Sequence, residues 1–163
     1  MTEAAPQPDS RARFQDLVGR VARTIKDAPL DDALQARLNT EVPADGDLFK
    51  DIEAACHQAI EEGWMCAREH GGIRFGRVFK PDADGLEGFS IDVVRMTPVA
   101  GPHHAHPNGE IDMIMPLDPD ARFDGAPRGW LVYGPGSAHN PTVSGGDAVV
   151  LYFLPGGAIE FTR

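Results

Sequence analysis

Cysteine is scarce in this chain. Only two of its 163 residues are cysteines, Cys56 and Cys66, and they do not form a CxxC pair. So low a cysteine content is typical of a reducing compartment, where disulfides are rare. We therefore predict two free structural thiols rather than a disulfide.

Positive charge is also in short supply. There are 15 Lys and Arg residues against 25 Asp and Glu residues, which gives a net charge of −10 at pH 7, and no basic cluster interrupts it. A negative field repels the phosphates of nucleic acids and of anionic membrane surfaces. The charge balance therefore predicts neither a nucleic-acid nor a membrane partner, and leaves a small-molecule substrate.

Long apolar runs are missing too. No run approaches the ~20 residues that a membrane-spanning helix needs. The N-terminal stretch MTEAAPQPDSRARF lacks the basic region and apolar run of a signal peptide. We expect a cytoplasmic protein whose length suggests a single domain.

The two halves of the chain differ in their hydrophobic period. Residues 1–10 are polar and contain prolines, and we expect a flexible N-terminus there. Residues 11–68 carry apolar residues at spacings of three and four, which predicts a helical segment that packs on the rest of the chain. Asp9 or Ser10 could cap the first helix, and Gly63 marks the end of the last one. The predicted contact faces contain Phe14, Leu17, Val18, Val21 and Ile25, then Leu30, Leu34 and Leu38, then Leu48, Ile52, Ala55, Cys56, Ala59 and Ile60.

Residues 72–163 have a different pattern. Their apolar runs are short, rich in β-branched and aromatic residues, and separated by turn clusters such as PDADG, DPDARFDGAP and SGG. Regular short strands without intervening helices indicate an antiparallel sandwich or barrel. The fold class we predict is mainly β, with a helical N-terminal segment.

Histidine is rare as well, with six in the chain, yet three lie within four positions of GPHHAHPNGEIDMIMPL, residues 101–117. Alternate residues of a strand share a face, so the imidazoles of His104 and His106 project together, away from His103. Glu110 follows a Pro-Asn-Gly turn that can fold the chain back toward them, and His139 follows a later Pro-Gly turn.

Three neutral imidazoles and a carboxylate suit one divalent transition metal, such as Fe, Mn, Ni, Co or Zn. Four protein ligands on an octahedral ion leave two positions open for substrate or water. The alternative is that these histidines are merely solvated in a polar loop, as single loop histidines usually are.

The two motifs resemble those of the cupin superfamily. HHAHPNGE is similar to the first cupin motif, whose core is HxHxxxE, and GPGSAH is similar to the second. The resemblance covers roughly residues 72–161 and implies a double-stranded β-helix, a jelly-roll-like barrel, with His104, His106, Glu110 and His139 as metal ligands. Two departures concern loop geometry only: the first motif's glycine is shifted to Gly101, and Val143 replaces the expected Asn.

The whole chain resembles the 4-hydroxylaminobenzoate lyase family of nitroarene-degrading bacteria. The likeness rests on the helical leader, the first motif and the C-terminal stretch GWLVYGPGSAHNPTVSGGDAVVLYFLPGGAIEF. It implies conversion of 4-hydroxylaminobenzoate to 3,4-dihydroxybenzoate with release of ammonia. The rival hypotheses are an Fe(II) cupin dioxygenase of a small aromatic acid and a non-catalytic cupin that binds a small molecule.

Strand parity extends this hypothesis beyond the ligands. If Glu110 points inward, so does Asp112, which could act as general acid or base or could form only a structural hydrogen bond. Ile111, Met113 and Met115 then form an outward apolar row that must be covered by the helices or by a second subunit. We expect a homodimer.

Two apolar strand faces are each interrupted by an arginine, Arg95 in FSIDVVRMTPV and Arg77 in IRFGRVF. A buried guanidinium needs an anion. That anion is either an internal Asp or Glu or a substrate carboxylate, which arginine binds through two parallel N–H donors. Arg95 is the first candidate for substrate binding because its strand leads into the metal motif, and Arg77 is the second. Tyr133 is a third candidate, as an aromatic wall of the site, although its pattern favours packing in the core.

Overall fold

The computed structural model describes residues 8–162, with side chains from Ser10 to Thr162. Residues 1–7 of the predicted flexible N-terminus lie outside this range. Three helices precede twelve strands within it. The helices are α1 (Pro8–Ile25), α2 (Asp32–Glu41) and α3 (Asp47–Glu62). The strands are β1 (Arg68–His70), β2 (Ile73–Phe79), β3 (Phe89–Met96), β4 (Val99–Ala100), β5 (His104–His106), β6 (Glu110–Pro116), β7 (Arg122–Phe123), β8 (Gly129–Tyr133), β9 (Ser137–His139), β10 (Thr142–Ser144), β11 (Ala148–Pro155) and β12 (Glu160–Phe161).

The helices form where the apolar spacing predicts them, and their ends have local causes. Helix α1 begins at Pro8, so Asp9 and Ser10 lie in its first turn and do not cap it. The carboxylate of Asp31 caps α2 by accepting the Leu34 N–H at 2.9 Å. Helix α3 ends at Gly63, whose φ of 89° is the left-handed conformation that glycine adopts without a Cβ penalty.

The helical part is shorter than predicted at its C-terminal end. Arg68, the last residue of the predicted helical segment, is the first residue of β1, which pairs antiparallel with β2. Gly71 and Gly72 connect these two strands, both with positive φ. Arg68 therefore belongs to the six-stranded sheet of the barrel.

The strands form a barrel with two walls. One wall is a six-stranded sheet in the order β1-β2-β3-β11-β6-β8, and the other consists of the three-stranded sheets β4-β10-β7 and β12-β5-β9. All the pairs between these strands are antiparallel. The predicted mainly β fold class, an antiparallel barrel with a helical N-terminal segment, is confirmed.

The central strands of the six-stranded sheet are buried on both faces. The inner face of this sheet packs into the barrel through residues such as Ile114 and Val150. Its outer face carries the row Ile111, Met113 and Met115, which is fully buried in one cluster with the helices. The helices of the same chain thus cover the apolar row, and the row no longer requires a second subunit.

Helix α2 also protects the edge of this sheet. Strand β8 is the last strand on that side, and an unpaired strand edge invites pairing with other chains. Gln35 accepts the Val132 N–H at 2.9 Å, and Asn39 accepts the Trp130 N–H at 3.0 Å and donates to the Trp130 carbonyl at 3.2 Å. Two side chains one helical turn apart therefore replace the missing neighbouring strand.

Both cysteines are free and buried, as predicted. Burial raises the pKa of the Cys66 thiol to about 11, so it stays protonated at neutral pH. Among the described helices, none has the length and the apolar character needed to cross a bilayer.

Candidate metal centre

The barrel brings His104, His106, Glu110 and His139 together, and we call these four residues the cluster. Strands β5 and β9 are paired so that His104 lies directly opposite His139. The Pro-Asn-Gly turn closes as the sequence predicts, with the Gly109 N–H donating to the His106 carbonyl at 3.1 Å. This turn takes the chain from one wall to the other, so Glu110 faces the imidazoles from β6.

The four side chains meet through their terminal atoms. Glu110 Oε1 lies 3.0 Å from His106 Nε2 and 3.4 Å from His104 Nε2, and Glu110 Oε2 lies 3.6 Å from His139 Nε2. One potential ligand atom from each residue lies within 4.8 Å of all the others. His103 is not part of the cluster, because its Nδ1 is hydrogen-bonded to Thr162 Oγ1.

Hydrogen bonds to the other ring nitrogen fix the orientation of each imidazole. His106 Nδ1 contacts Ser137 Oγ at 2.9 Å, and this hydroxyl already donates to the Gly134 carbonyl, so it accepts from the imidazole. His104 Nδ1 faces the Pro102 carbonyl at 3.4 Å. Each Nδ1 therefore carries the proton, and each Nε2 turns a lone pair into the cluster.

The third imidazole is held by Asp124, a residue that the sequence did not single out. His139 Nδ1 lies 2.5 Å from Asp124 Oδ2, the Tyr133 hydroxyl donates to the same oxygen, and the Thr142 N–H donates to Oδ1 at 2.8 Å. Burial would raise the pKa of Asp124, but these hydrogen bonds outweigh it and lower the pKa. Asp124 is therefore an ionised carboxylate that supports a candidate ligand.

Asp124 reaches this position through a tight turn. Asp124 and Gly125 both have positive φ, and Phe123 bridges Ala126 across them, which is the geometry of an Asp-Gly hairpin turn with both central residues left-handed. The sequence signal was the DG pair itself, which indicates a turn but not the direction of its carboxylate.

The cluster fits a divalent cation. His106 Nε2 and Glu110 Oε2 are buried polar atoms without a hydrogen-bond partner among the described residues, and such orphaned atoms are rare unless something else satisfies them. Burial would raise the pKa of Glu110, but hydrogen bonds from His104 and His106, where their Nε2 atoms carry protons, lower it to about 2; a cation in the place of those protons keeps the carboxylate ionised in the same way. Two ionised carboxylates, Glu110 and Asp124, and three imidazole lone pairs match one ion of charge +2, held by nitrogen and oxygen ligands. The geometry thus suggests a metal site and does not distinguish between metals.

Asp112 shares the inner face with Glu110 but lies behind the cluster. It is fully buried, and neither of its oxygens has hydrogen-bond geometry with a described residue. Burial, and then the nearby charge of Glu110, raises its pKa well above the ordinary value. Both effects favour the protonated form of Asp112.

A cavity of about 390 Å³ adjoins the cluster at His104, within the ~300–1,000 Å³ typical of small-molecule sites. Its inner end contains His104 and Tyr152, which are 2% and 5% exposed, and Phe161 at its mouth is 66% exposed. Its walls are mainly apolar. The apolar lining residues include Ile73, Phe75, Val94, Met96, Pro141 and Ile159.

The two arginines predicted for substrate binding have internal partners. Arg77 lines the cavity, but its Nε and Nη2 donate to the two oxygens of Asp92 at 2.8 Å and 3.3 Å. Arg95 lies on the outer face of β3, opposite the cluster, with Nη2 3.7 Å from Asp147. The structure brings Arg77 near the cluster and does not bring Arg95 there.

Tyr133, the third candidate, lies against the cluster. Its ring centroid is 4.6 Å from that of His139 and 5.5 Å from that of His106. Its hydroxyl donates to Asp124, so its polar end points toward the carboxylate that holds His139. Trp130, in contrast, is buried in the core against Phe49 of α3, which is not among the residues of the predicted α3 contact face.

Comparison with known proteins gives matches over most of the chain. The family model described as "PnbB: 4-hydroxylaminobenzoate lyase" matches residues 16–161. A protein named 4-hydroxylaminobenzoate lyase from Nocardioides sp. (strain LMS-CY) is 31% identical over 147 residues, which cover 84% of this chain and 86% of that protein. A protein of the same name from Pseudomonas putida is 30% identical over 154 residues, covering 84% and 87%. Among solved structures, an RmlC-like cupin protein from Ralstonia eutropha JMP134 is similar with a TM-score of 0.43 and 15% identity, over 60% of this chain and 64% of that one.

Proposed function

This chain belongs to the 4-hydroxylaminobenzoate lyase family, and we propose on that premise that it converts 4-hydroxylaminobenzoate to 3,4-dihydroxybenzoate and ammonia. The reaction consumes water and releases ammonia, so it needs neither an oxidant nor a reductant. The observation that carries the proposal is the convergence of three imidazoles and a carboxylate beside an apolar cavity that His104 lines.

We propose that His104, His106, Glu110 and His139 hold one divalent transition metal. Such an ion supplies Lewis acidity, which polarises a bound oxygen or nitrogen of the substrate. The protein contributes the rest of the site: Ser137 and Asp124 keep the imidazoles in the required tautomer, and the apolar walls exclude bulk water around an aromatic ring.

Proton transfer is the second requirement, since a hydroxyl group leaves nitrogen as water and nitrogen leaves the ring as ammonia. The raised pKa of Asp112 favours its protonated form, but Asp112 does not line the cavity. Its direct neighbour across the β6–β11 pair is Tyr152, which lines the cavity. We propose that Asp112 is the predicted general acid or base, that it lies behind the cavity wall, and that Tyr152 is the group that contacts the substrate.

The remaining candidates have narrower roles. Tyr133 forms the wall beside His106 and His139, and we propose that it contacts the substrate ring through its face only. Arg77 remains a candidate for the substrate carboxylate, although Asp92 already occupies two of its donors. We do not assign Arg95 to substrate, because it projects from the opposite face of its strand.

The test is the matched pair His106→Ala and His103→Ala. His106 lies in the cluster, and His103 is a histidine three residues earlier that faces Thr162. We expect H106A to lose both bound metal, measured by elemental analysis, and formation of 3,4-dihydroxybenzoate, measured by chromatography, while H103A keeps both. Full turnover by metal-free H106A would refute the proposal.

The same assay separates the rival functions. A lyase runs at full rate without oxygen, whereas an Fe(II) dioxygenase consumes O₂ with turnover, so an anaerobic assay with an oxygen electrode distinguishes them. A binding-only protein would retain the substrate and release no ammonia.

Assembly and location remain predictions. Phe161 is the one large hydrophobic residue that is exposed among those described, and we propose that a homodimer covers it, which sedimentation velocity measures. The two free buried thiols support the proposal of a cytoplasmic, reducing environment.

A further inference from the structure

The cavity beside the cluster has a polar group at its mouth that no step above uses. Arg68 lies on β1 directly opposite Phe75 of β2, and both line the cavity. Glu69, the next residue, points the other way and accepts the Gly72 N–H at 3.2 Å. The alternation of the strand therefore directs Arg68 toward the cavity.

Arg68 differs from Arg77 in having no internal partner. Arg77 is neutralised by Asp92 and also donates to the Gly157 carbonyl at 3.1 Å. Arg68 makes no ion pair or side-chain hydrogen bond with any described residue, and it is exposed. In a chain with a net charge of −10, an unpaired guanidinium at the mouth of a cavity is the local exception to the negative field.

The arrangement of the cavity matches a particular kind of ligand. Its inner end has His104 of the cluster, its middle has apolar walls, and its mouth has the unpaired guanidinium of Arg68. A para-substituted benzoate presents the same order, with a nitrogen group at one end, a flat ring, and a carboxylate at the other end. Guanidinium binds carboxylate through two parallel N–H donors.

We propose that Arg68 binds the carboxylate of the substrate and so selects aromatic acids whose carboxylate lies opposite the reacting nitrogen. This inference rests on the proposed function, which it deepens by naming a specificity residue. Arg68 contacts a part of the substrate that does not react, so its removal weakens binding and leaves the metal in place.

The experiment compares two substrates on four proteins. The substrates are 4-hydroxylaminobenzoate and N-phenylhydroxylamine, which lacks the carboxylate. The proteins are the metal-loaded wild type, R68Q, R77Q, and R74Q as the matched control. Arg74 lies on the neighbouring strand, opposite Glu69, and projects from the outer face.

We expect R68Q to lower kcat/KM for the acid by about 10- to 100-fold, the usual worth of a hydrogen-bonded charge pair, mainly through KM. The same variant should change kcat/KM for N-phenylhydroxylamine by less than about twofold, and its metal content should equal that of the wild type. R74Q should match the wild type on both substrates. The conservative variant R68K keeps the positive charge but lacks the two parallel N–H donors of the guanidinium, so its kcat/KM for the acid should lie between those of the wild type and R68Q.

The outcomes separate the two proposals. A wild-type enzyme that does not act on the acid overturns the proposed function, and this inference with it. An active wild type with equal losses on both substrates in R68Q overturns the inference alone. If R77Q and not R68Q shows the acid-selective loss, the carboxylate binds at Arg77 and the assignment to Arg68 is wrong.

Discussion

Replacing Asp124 by Asn tests whether the outer hydrogen bonds set the metal affinity. Oδ1 of Asp124 accepts from the Thr142 N–H, while Oδ2 accepts from both His139 and Tyr133. An Asn that keeps the first bond turns its NH₂ group toward His139 Nδ1. Two donors then face each other, and the clash is relieved if the imidazole proton moves to Nε2, where it blocks the lone pair directed at the cluster.

The size of the effect follows from this loss. Removing an outer partner of a metal-binding histidine typically costs about 10- to 100-fold in metal affinity, which equals about 1.4–2.8 kcal/mol. The substitution also removes the negative charge of Asp124, and this loss weakens the binding of the cation further. We therefore expect D124N to bind the metal at least tenfold more weakly, with the fold intact because Thr142 keeps its acceptor.

The assay is competition with a chromophoric chelator, with unfolding of the metal-free protein as the check on folding. The control is Asp118→Asn, because Asp118 also accepts a backbone N–H, that of Asp147 at 2.7 Å, but touches no imidazole. We expect D118N to bind metal like the wild type. If D124N does so too, with unchanged metal-free stability, the argument from tautomer control is wrong.

Three further predictions concern stability and can be measured by denaturant or thermal unfolding of chelator-treated protein. Gly109→Ala should cost more than the about 1–2 kcal/mol of a left-handed residue, because φ is +92° and a Cβ would lie 2.8 Å from the Tyr133 carbonyl oxygen; an unchanged midpoint would contradict this. Asp112→Asn should stabilise the protein increasingly as pH rises above about 4. Because the pKa of Asp112 is raised in the folded state, the folded wild type keeps a proton that the unfolded chain has lost, and the stability of the wild type therefore falls as pH rises. A stability difference between variant and wild type that does not vary with pH would count against the buried acid. Asn39→Leu should cost about 1–3 kcal/mol by leaving the Trp130 N–H unpaired, and concentration-dependent aggregation should rise as the β8 edge opens.

Local patterns predicted which residues form the cluster because the relevant geometry is local. Alternation on a strand places His104 and His106 on one face, and the turn before Glu110 spans only a few residues. The supporting groups could not be found in this way. Asp124 lies fifteen residues before His139, and only the pairing of separate sheets brings its carboxylate to the imidazole.

Arg95 shows a different limit of the sequence. A strand with one solvent-exposed face alternates apolar and polar residues, and this alternation identifies the inner face. Strand β3 is largely buried on both faces, since Ile91 and Val93 pack against the helices while Val94 and Met96 face the barrel. Alternation therefore could not tell which face is the interior, and Arg95 was assigned to the wrong side of the sheet relative to the cluster.

The helical segment has a structural bearing on the cluster although none of its residues belongs to it. Glu110 starts β6, and the outer face of that strand is buried by helices through Ile111 and Met113. The neighbouring strand β8, which pairs Tyr133 with Glu110, has its free edge closed by Gln35 and Asn39 of α2. The carboxylate that faces the imidazoles is therefore held on a sheet whose outer face and edge are both completed by the helices. Without them, the same wall would expose an apolar row and an open strand edge, so the position of Glu110 depends on the helical segment as much as on the barrel.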